Sequence, residues 1–177
     1  MSLYRLREKI SYQLHSVGRH GVHSPFVYDL IEQVLLNKAR ISTPIPEVVL
    51  PALLPAPHEQ LLRRIAVYYG CERLAYLEND NWIPAAVTPG KSTPDFDTLL
   101  LAPVAQLHTL HSPALASYLG EGCILACSGL YNSAEHTEHW QRLAADPAVT
   151  LSLDLFELGL LFFRKDFLVK QAFRLKF

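Results

Sequence analysis

Little of this chain is charged, and neither sign dominates. Asp, Glu, Lys and Arg make up 19% of 177 residues, with 16 basic against 17 acidic side chains. No basic run exceeds a few residues, which argues against a dedicated nucleic-acid binder, whose affinity rests on neutralising phosphates. No apolar run approaches the roughly 20 residues that span a bilayer. The opening MSLYRLREKISYQL lacks the apolar core and small-residue cleavage site of a secretory signal, so a cytoplasmic protein is expected. Cysteine is scarce too. Cys71, Cys123 and Cys127 supply no disulfide framework, and the last two, four apart in a predicted strand, read as small buried apolar residues. Glycine is missing altogether between Gly70 and Gly90.

What the chain has is apolar residues, half of the total, which is enough for one domain with a substantial core. Leu3, Leu6, Ile10 and Leu14 form a helical stripe, with Arg5, Arg7 and Lys9 lying off it. That basic face could meet an acidic surface; a solvated face is the simpler reading. After a loop from Val17 to His23, Ser24-Pro25 opens a second helix whose stripe runs from Phe26 to Leu35. Five prolines between Ile41 and Pro57 make an irregular crossing. A third helix is expected from His58 to Tyr69, stopped by Gly70.

Strands alternate with helices from there on, which argues for a parallel sheet. Leu74–Leu77, Asp97–Pro103 and Gly122–Cys127 are its expected strands, with Trp82–Val87 as a short edge strand. Helices start at Ser112-Pro113 and at Ser133, the latter reaching Ala145. The chain closes with VTLSLDLFELGLLFFRKDFLVKQAFRLKF. Leu151 to Leu155 alternates with the period of a half-buried strand, Glu157-Leu158-Gly159 offers a turn or bulge, and Leu160–Phe163 resumes as a doubly buried strand. A third short strand over 172–177 completes what reads as a tight antiparallel unit packed on the larger sheet.

In an open parallel sheet, ligands bind beyond the carboxyl ends of the strands. Those ends carry Glu78 and Asp80 after the first strand, and Ser128, Tyr131 and Asn132 after the third. A nucleotide pocket needs a glycine-rich turn after the first strand, and the Gly70–Gly90 gap removes it. Glu78 and Asp80 could still hold a ribose or a metal, or merely be a solvated loop. His20 and His23 flank a loop and are expected to orient it through backbone carbonyls. They, or His136 and His139 one helical turn apart, could give two metal ligands, but neither pair has a firm third, so no metal is expected. A nucleophile at Cys127 or Ser128 lacks the Gly-x-Ser-x-Gly frame.

Two stretches, GRHGVHSPFVYDL (18–30) and SLDLFELGLLFFRKDFLVKQAFRLKF (152–177), resemble a bacterial family of class I S-adenosylmethionine-dependent methyltransferases. The resemblance implies a Rossmann-like sheet whose last strand is antiparallel. It also marks departures. Where the family wraps its cofactor in an acidic, glycine-rich turn, Leu74–Asp80 has no glycine. Only Asn81–Phe96 stands where the family has two further strand-helix units, too short for both. Ala102-Pro103-Val104 replaces the family's Asp-Gly-His, and Ser128-Gly129 its paired aspartates. The expectation is therefore an α/β protein with a truncated Rossmann-like, methyltransferase-type sheet. That sheet would be mostly parallel with an antiparallel C-terminal strand unit, preceded by N-terminal helices. Residues 1–57 would form the helices and crossing, and 58–177 the degenerate core. A non-catalytic protein acting through protein contacts, such as a homodimer, is expected, with no cofactor. The alternative is an active methyltransferase binding S-adenosylmethionine in a rearranged pocket near Glu78, Asp80, Ser128, Tyr131 and Asn132. A metal-dependent or hydrolytic enzyme using the histidines is a remote third. Loss of two strands would bare the flank of the first strand, which then needs cover from the proline-rich segment, from Trp82–Val87, or from a second chain.

Overall fold

A computed structural model describes residues 2–18, 21–36, 54–85, 96–111 and 118–177. Among these, α1 spans Leu3–His15 and α2 spans Pro25–Leu30, continued by a π-helical turn over Ile31–Leu35. Helix α3 runs Ala56–Tyr69 and ends at Gly70, whose left-handed φ of 73° closes it as expected. Helix α4, Ala134–Ala145, starts where Ser133 accepts a hydrogen bond from the His136 backbone N–H. Most of the proline-rich crossing, and the helix expected from Ser112, lie outside the described residues.

Among the described residues, seven strands form one sheet: β1 Arg73–Glu78, β2 Asn81–Ala85, β3 Thr98–Pro103, β4 Cys123–Ser128, β5 Leu151–Asp154, β6 Leu158–Phe162 and β7 Gln171–Arg174. Their order is β2-β1-β3-β4-β6-β5-β7. Strands β1, β3, β4, β5 and β7 run the same way, while β2 and β6 run against them. The central β4 is buried along its whole length, as a run of CILACS without charge allows. Pro84 sits in β2, at the sheet edge, where its missing N–H costs no ladder bond.

The closing unit departs from expectation in two ways. Its third strand does not extend an antiparallel set: β7 joins the far side of β5 in parallel register, Leu151 opposite Gln171. Beyond it Val17 bridges Leu175, so the chain's first loop is stitched to its last residues. Nor is Gly159 in a turn. The turn is Leu155-Phe156-Glu157, and Gly159 lies within β6, opposite Cys127 on one side and Asp154 on the other. It must be glycine there because the Trp140 indole of α4 rests on it, and a Cβ would meet the ring at 2.5 Å.

Each face of the sheet has its own core. Leu74, Leu99, Leu101, Ile124, Leu153, Leu160 and Phe162 pack under α2 and α3. Leu100, Cys123, Leu125, Cys127, Leu161 and Phe163 pack with Tyr12 of α1 and with Trp140 and Leu143 of α4. This alternation along β3 and β4 is the period-2 geometry of a strand buried on both faces.

Helix α1 is turned the other way from an ordinary amphipathic surface helix. Its aliphatic stripe faces outward: Leu3, Leu6, Ile10 and Leu14 are 87%, 43%, 56% and 76% exposed. Its inner side is made of Tyr4, Arg5 and Tyr12. The Tyr4 hydroxyl donates to Thr137 Oγ1 at 2.8 Å, Arg5 donates to Asn132 Oδ1 at 2.7 Å and pairs with Glu157, and Tyr12 is buried. Arg5 thus leaves the solvated basic face expected of it. The physical reason is the surface it packs on, where strand ends present carbonyls and carboxylates that aliphatic side chains cannot satisfy.

Candidate functional site

The carboxyl edge of the parallel strands is closed on one half and built up on the other. On the β1 half, the chain leaves Glu78, turns through Asn79 and Asp80, and returns as β2. Both turn residues have left-handed φ, 48° and 61°, the two-residue hairpin geometry that matches strand twist. The Glu78-Asn79-Asp80-Asn81 cluster is therefore a hairpin turn and not an open loop, and Glu78 and Asp80 are exposed on it. Next to it, Pro103 ends β3 and passes into a 3-10 turn over Val104–Gln106 whose Val104 is fully buried.

Ser128 ends β4, two strands from Glu78, with β3 between them, roughly 10 Å at the usual strand spacing. Ser128 is buried, and Tyr131 turns away from β1 toward β5, while Asn132 is exposed and held by Arg5. The five pocket residues expected from the sequence therefore fall in two groups, Glu78 and Asp80 on the hairpin turn after β1, and Ser128, Tyr131 and Asn132 at the end of β4. His23 is exposed, and His20 lies outside the described residues. His136 points its Nδ1 to the Gly129 carbonyl at 3.3 Å, and the His139 ring lies beside that of His108. No group of three metal-ligating side chains occurs among the described residues. Cys127 is fully buried in β4, and burial pushes its thiol well up, which removes it as a nucleophile at neutral pH.

The built-up half centres on Asp154, at the carboxyl end of β5 and only 6% exposed. Its Oδ1 accepts the Phe156 backbone N–H at 2.9 Å. Its Oδ2 accepts the Tyr131 hydroxyl and lies 3.4 Å from Arg174 Nε at the end of β7. The single Tyr12 hydroxyl proton is shared between the Leu175 and Asp154 backbone carbonyls, tying α1 to β5 and to residues near the end of β7. Phe156 sits in the turn with φ of 69°, unusual for so bulky a residue. The Asp154 bond and a stack of rings hold it there, with Tyr131 parallel at 4.8 Å and Tyr12 edge-on at 5.2 Å. Burial raises the Asp154 carboxyl above its ordinary range, against the pull of Tyr131, Phe156 and Arg174. Burial, then the Asp154 charge, drives Tyr12 and Tyr131 far above the usual phenol value, so both remain hydrogen-bond donors.

Beside this cluster, a cleft of about 590 Å³ opens between α4 and the outer strands. Ser152, Asp154, Ala172 and Arg174 form its floor, and Trp140 and Lys170 stand among its walls. Both Asp154 oxygens already accept hydrogen bonds from the protein, so the carboxylate is better fitted to hold the turn than to take a proton from a ligand. Asp154, Arg174 and Tyr12 are not among the site residues expected from the sequence. One signal was present: Ser152 and Asp154 share a strand face, taken for solvent, that the structure buries under α4 and α1.

The chain was compared with protein-family models, with curated proteins and with solved structures. It matches none of them.

The turn after β1 contains no glycine. Adenosine and methionine would need backbone that approaches closely at a glycine turn and an acid for the ribose hydroxyls. The turn there has Cβ atoms at Asn79 and Asp80 and folds straight back into β2.

Proposed function

We propose that this protein keeps a methyltransferase-like frame without methyl transfer and acts through contacts with another protein. The observation that carries this reading is the Asn79-Asp80 hairpin: β2 pairs along β1 over five residue positions, from Leu74–Ala85 to Glu78–Asn81. It occupies the flank and the strand end that a cofactor-binding methyltransferase would use for its remaining strands and its cofactor turn. The antiparallel β6, set between β4 and β5, supports the Rossmann-like, methyltransferase-type assignment of the rest of the sheet. A self-covered β1 edge also means that a partner is not needed there, so contacts must be sought elsewhere on the surface.

Calorimetric titration with S-adenosylmethionine and S-adenosylhomocysteine tests the reading. The expected result is no saturable heat up to millimolar ligand. Saturable binding at or below that concentration would refute it and favour an active methyltransferase with a rearranged pocket.

A further inference from the structure

We infer that the outward face of α1 is a docking surface for an acid-rimmed amphipathic helix of a partner protein. The inference deepens the reading above, on which it rests, by naming the surface and the chemistry of the partner. Leu3, Leu6, Ile10 and Leu14 follow the 3-4-4 spacing of a helix–helix seam, in which each side chain inserts between residues of a facing helix. They line one side of a 13-residue helix, about 20 Å long at 1.5 Å per residue. Four large aliphatic side chains in one line, each at least 43% exposed, are unlike the scattered single apolar residues of an ordinary surface. They have not been left outside for want of core, because α1 is firmly fixed through Tyr4, Arg5 and Tyr12 on its other side.

Charge argues against a second copy of this helix as the occupant. Projected at 100° per residue, Arg7 borders the stripe on one side, and Lys9 lies beyond Gln13 on the other. Both are exposed, and neither has an ion-pair partner among the described residues. The only acid of α1, Glu8, is on the inner side, where its charge acts on Tyr131. The rim of the stripe is therefore basic. A second copy of α1 would set this rim against itself, and like charges across a seam are destabilising. A helix with leucines on its seam and Glu or Asp beside them meets the apolar face and both cations at once.

The test uses the full chain and a fluorescein-labelled synthetic helix with Leu at its a and d positions and Glu at e and g. The control peptide carries Lys in place of Glu. Fluorescence anisotropy is expected to show saturable binding of the Glu peptide, at least tenfold tighter than the Lys peptide. Leu6→Ser/Ile10→Ser should abolish it, and Arg7→Glu/Lys9→Glu should reverse the preference. Because all four positions are exposed, both variants should keep the parent melting temperature and circular dichroism. Absence of binding, or equal affinity for the two peptides, would overturn the inference. So would sedimentation showing a dimer that Leu6→Ser/Ile10→Ser dissociates, which would make a second copy the occupant. Binding to phosphatidylglycerol vesicles that the same variant abolishes, without peptide preference, would make it a lipid surface. Titrating the same preparation with S-adenosylmethionine separates this result from the fate of the non-catalytic reading.

Discussion

Replacing Gly159 by alanine tests how the last strands are held to the sheet. In an open strand this change is mildly favourable, by about 0.5–1 kcal/mol, because alanine has less backbone entropy to lose. Gly159 has no left-handed φ that would resist a side chain, so backbone strain does not enter. What resists is Trp140, which is 4% exposed and lies with Cη2 and Cζ3 at 2.5 Å and Cε3 at 3.0 Å from the position of a Cβ. Carbon atoms rest about 3.5–4.0 Å apart, so the indole must retreat by about 1 Å. Overpacking of this kind costs about 1–3 kcal/mol. We expect Gly159→Ala to lose about 2 kcal/mol in urea unfolding, or about 4–8 °C in melting temperature. Trp140→Leu should itself be costly, by about 3 kcal/mol. In that background Gly159→Ala should become neutral or stabilising, a coupling of more than about 1 kcal/mol in the double-mutant cycle. A Gly159→Ala protein as stable as the parent, or a cycle without coupling, would refute the packing of α4 on β6.

Three further outcomes follow from the described side chains. The thiols of Cys71 and Cys123 are pushed up to about 12 by burial, and Cys127 is raised as well; a thiol reagent at pH 8 should therefore modify none of the three in the folded protein and all three in denaturant. The Asp154 carboxyl titrates above 3.8 when folded, so the folded state holds its proton longer than the unfolded chain does. Stability from this group is present at acid pH and lost as pH rises from 3.8 through the folded value. Urea melts across that window should show this slope, Asp154→Asn should flatten it, and Tyr131→Phe should cost about 1.5–3 kcal/mol by removing a donor to a buried carboxylate. At the hairpin, Asp80→Gly should stabilise by about 0.5–1 kcal/mol and Asn79→Ala should destabilise by about 1 kcal/mol, both read from unfolding midpoints, since both positions need positive φ; opposite signs would remove the closed turn on which the functional reading depends.

Elements with strong local signals were legible before the fold was known. Ser133 before α4, Gly70 after α3 and Pro25 at the start of α2 all stand where their side chains or dihedrals act. The edge strand from Trp82 was legible from apolar content alone. Its hairpin turn was not, because Asn79-Asp80 at a strand's carboxyl end has the composition of both a turn and a ligand loop. Pairing partners were hidden for a different reason. Alternation over Leu151–Leu155 sets which side chains share a face, but it is silent on the neighbouring strand. The parallel joining of β7 to β5 is settled by the loop between Phe163 and Gln171, long enough to carry the chain back across the hairpin.

The candidate site was hidden by the rule that reads apolar as inside and polar as outside. In α1 the periodicity is correct and the direction is reversed. The stripe is there, but the side chains that fasten the helix are two tyrosines and an arginine. The explanation lies in what they touch: the ends of β5 and β7 and the loop after β4, where the Leu175 carbonyl, Asn132 and Glu157 accept their hydrogen bonds. Leucine at position 12 could not donate to the Leu175 carbonyl, and tyrosine does so while burying a ring between Phe156 and Tyr131. A helix recruited to close a polar strand edge must spend its amphipathic residues there, and any aliphatic stripe it still carries then points outward. The same contacts that fix α1 on the ends of β5 and β7 therefore turn its apolar stripe outward, so closure of those strand ends and exposure of the stripe have one structural cause.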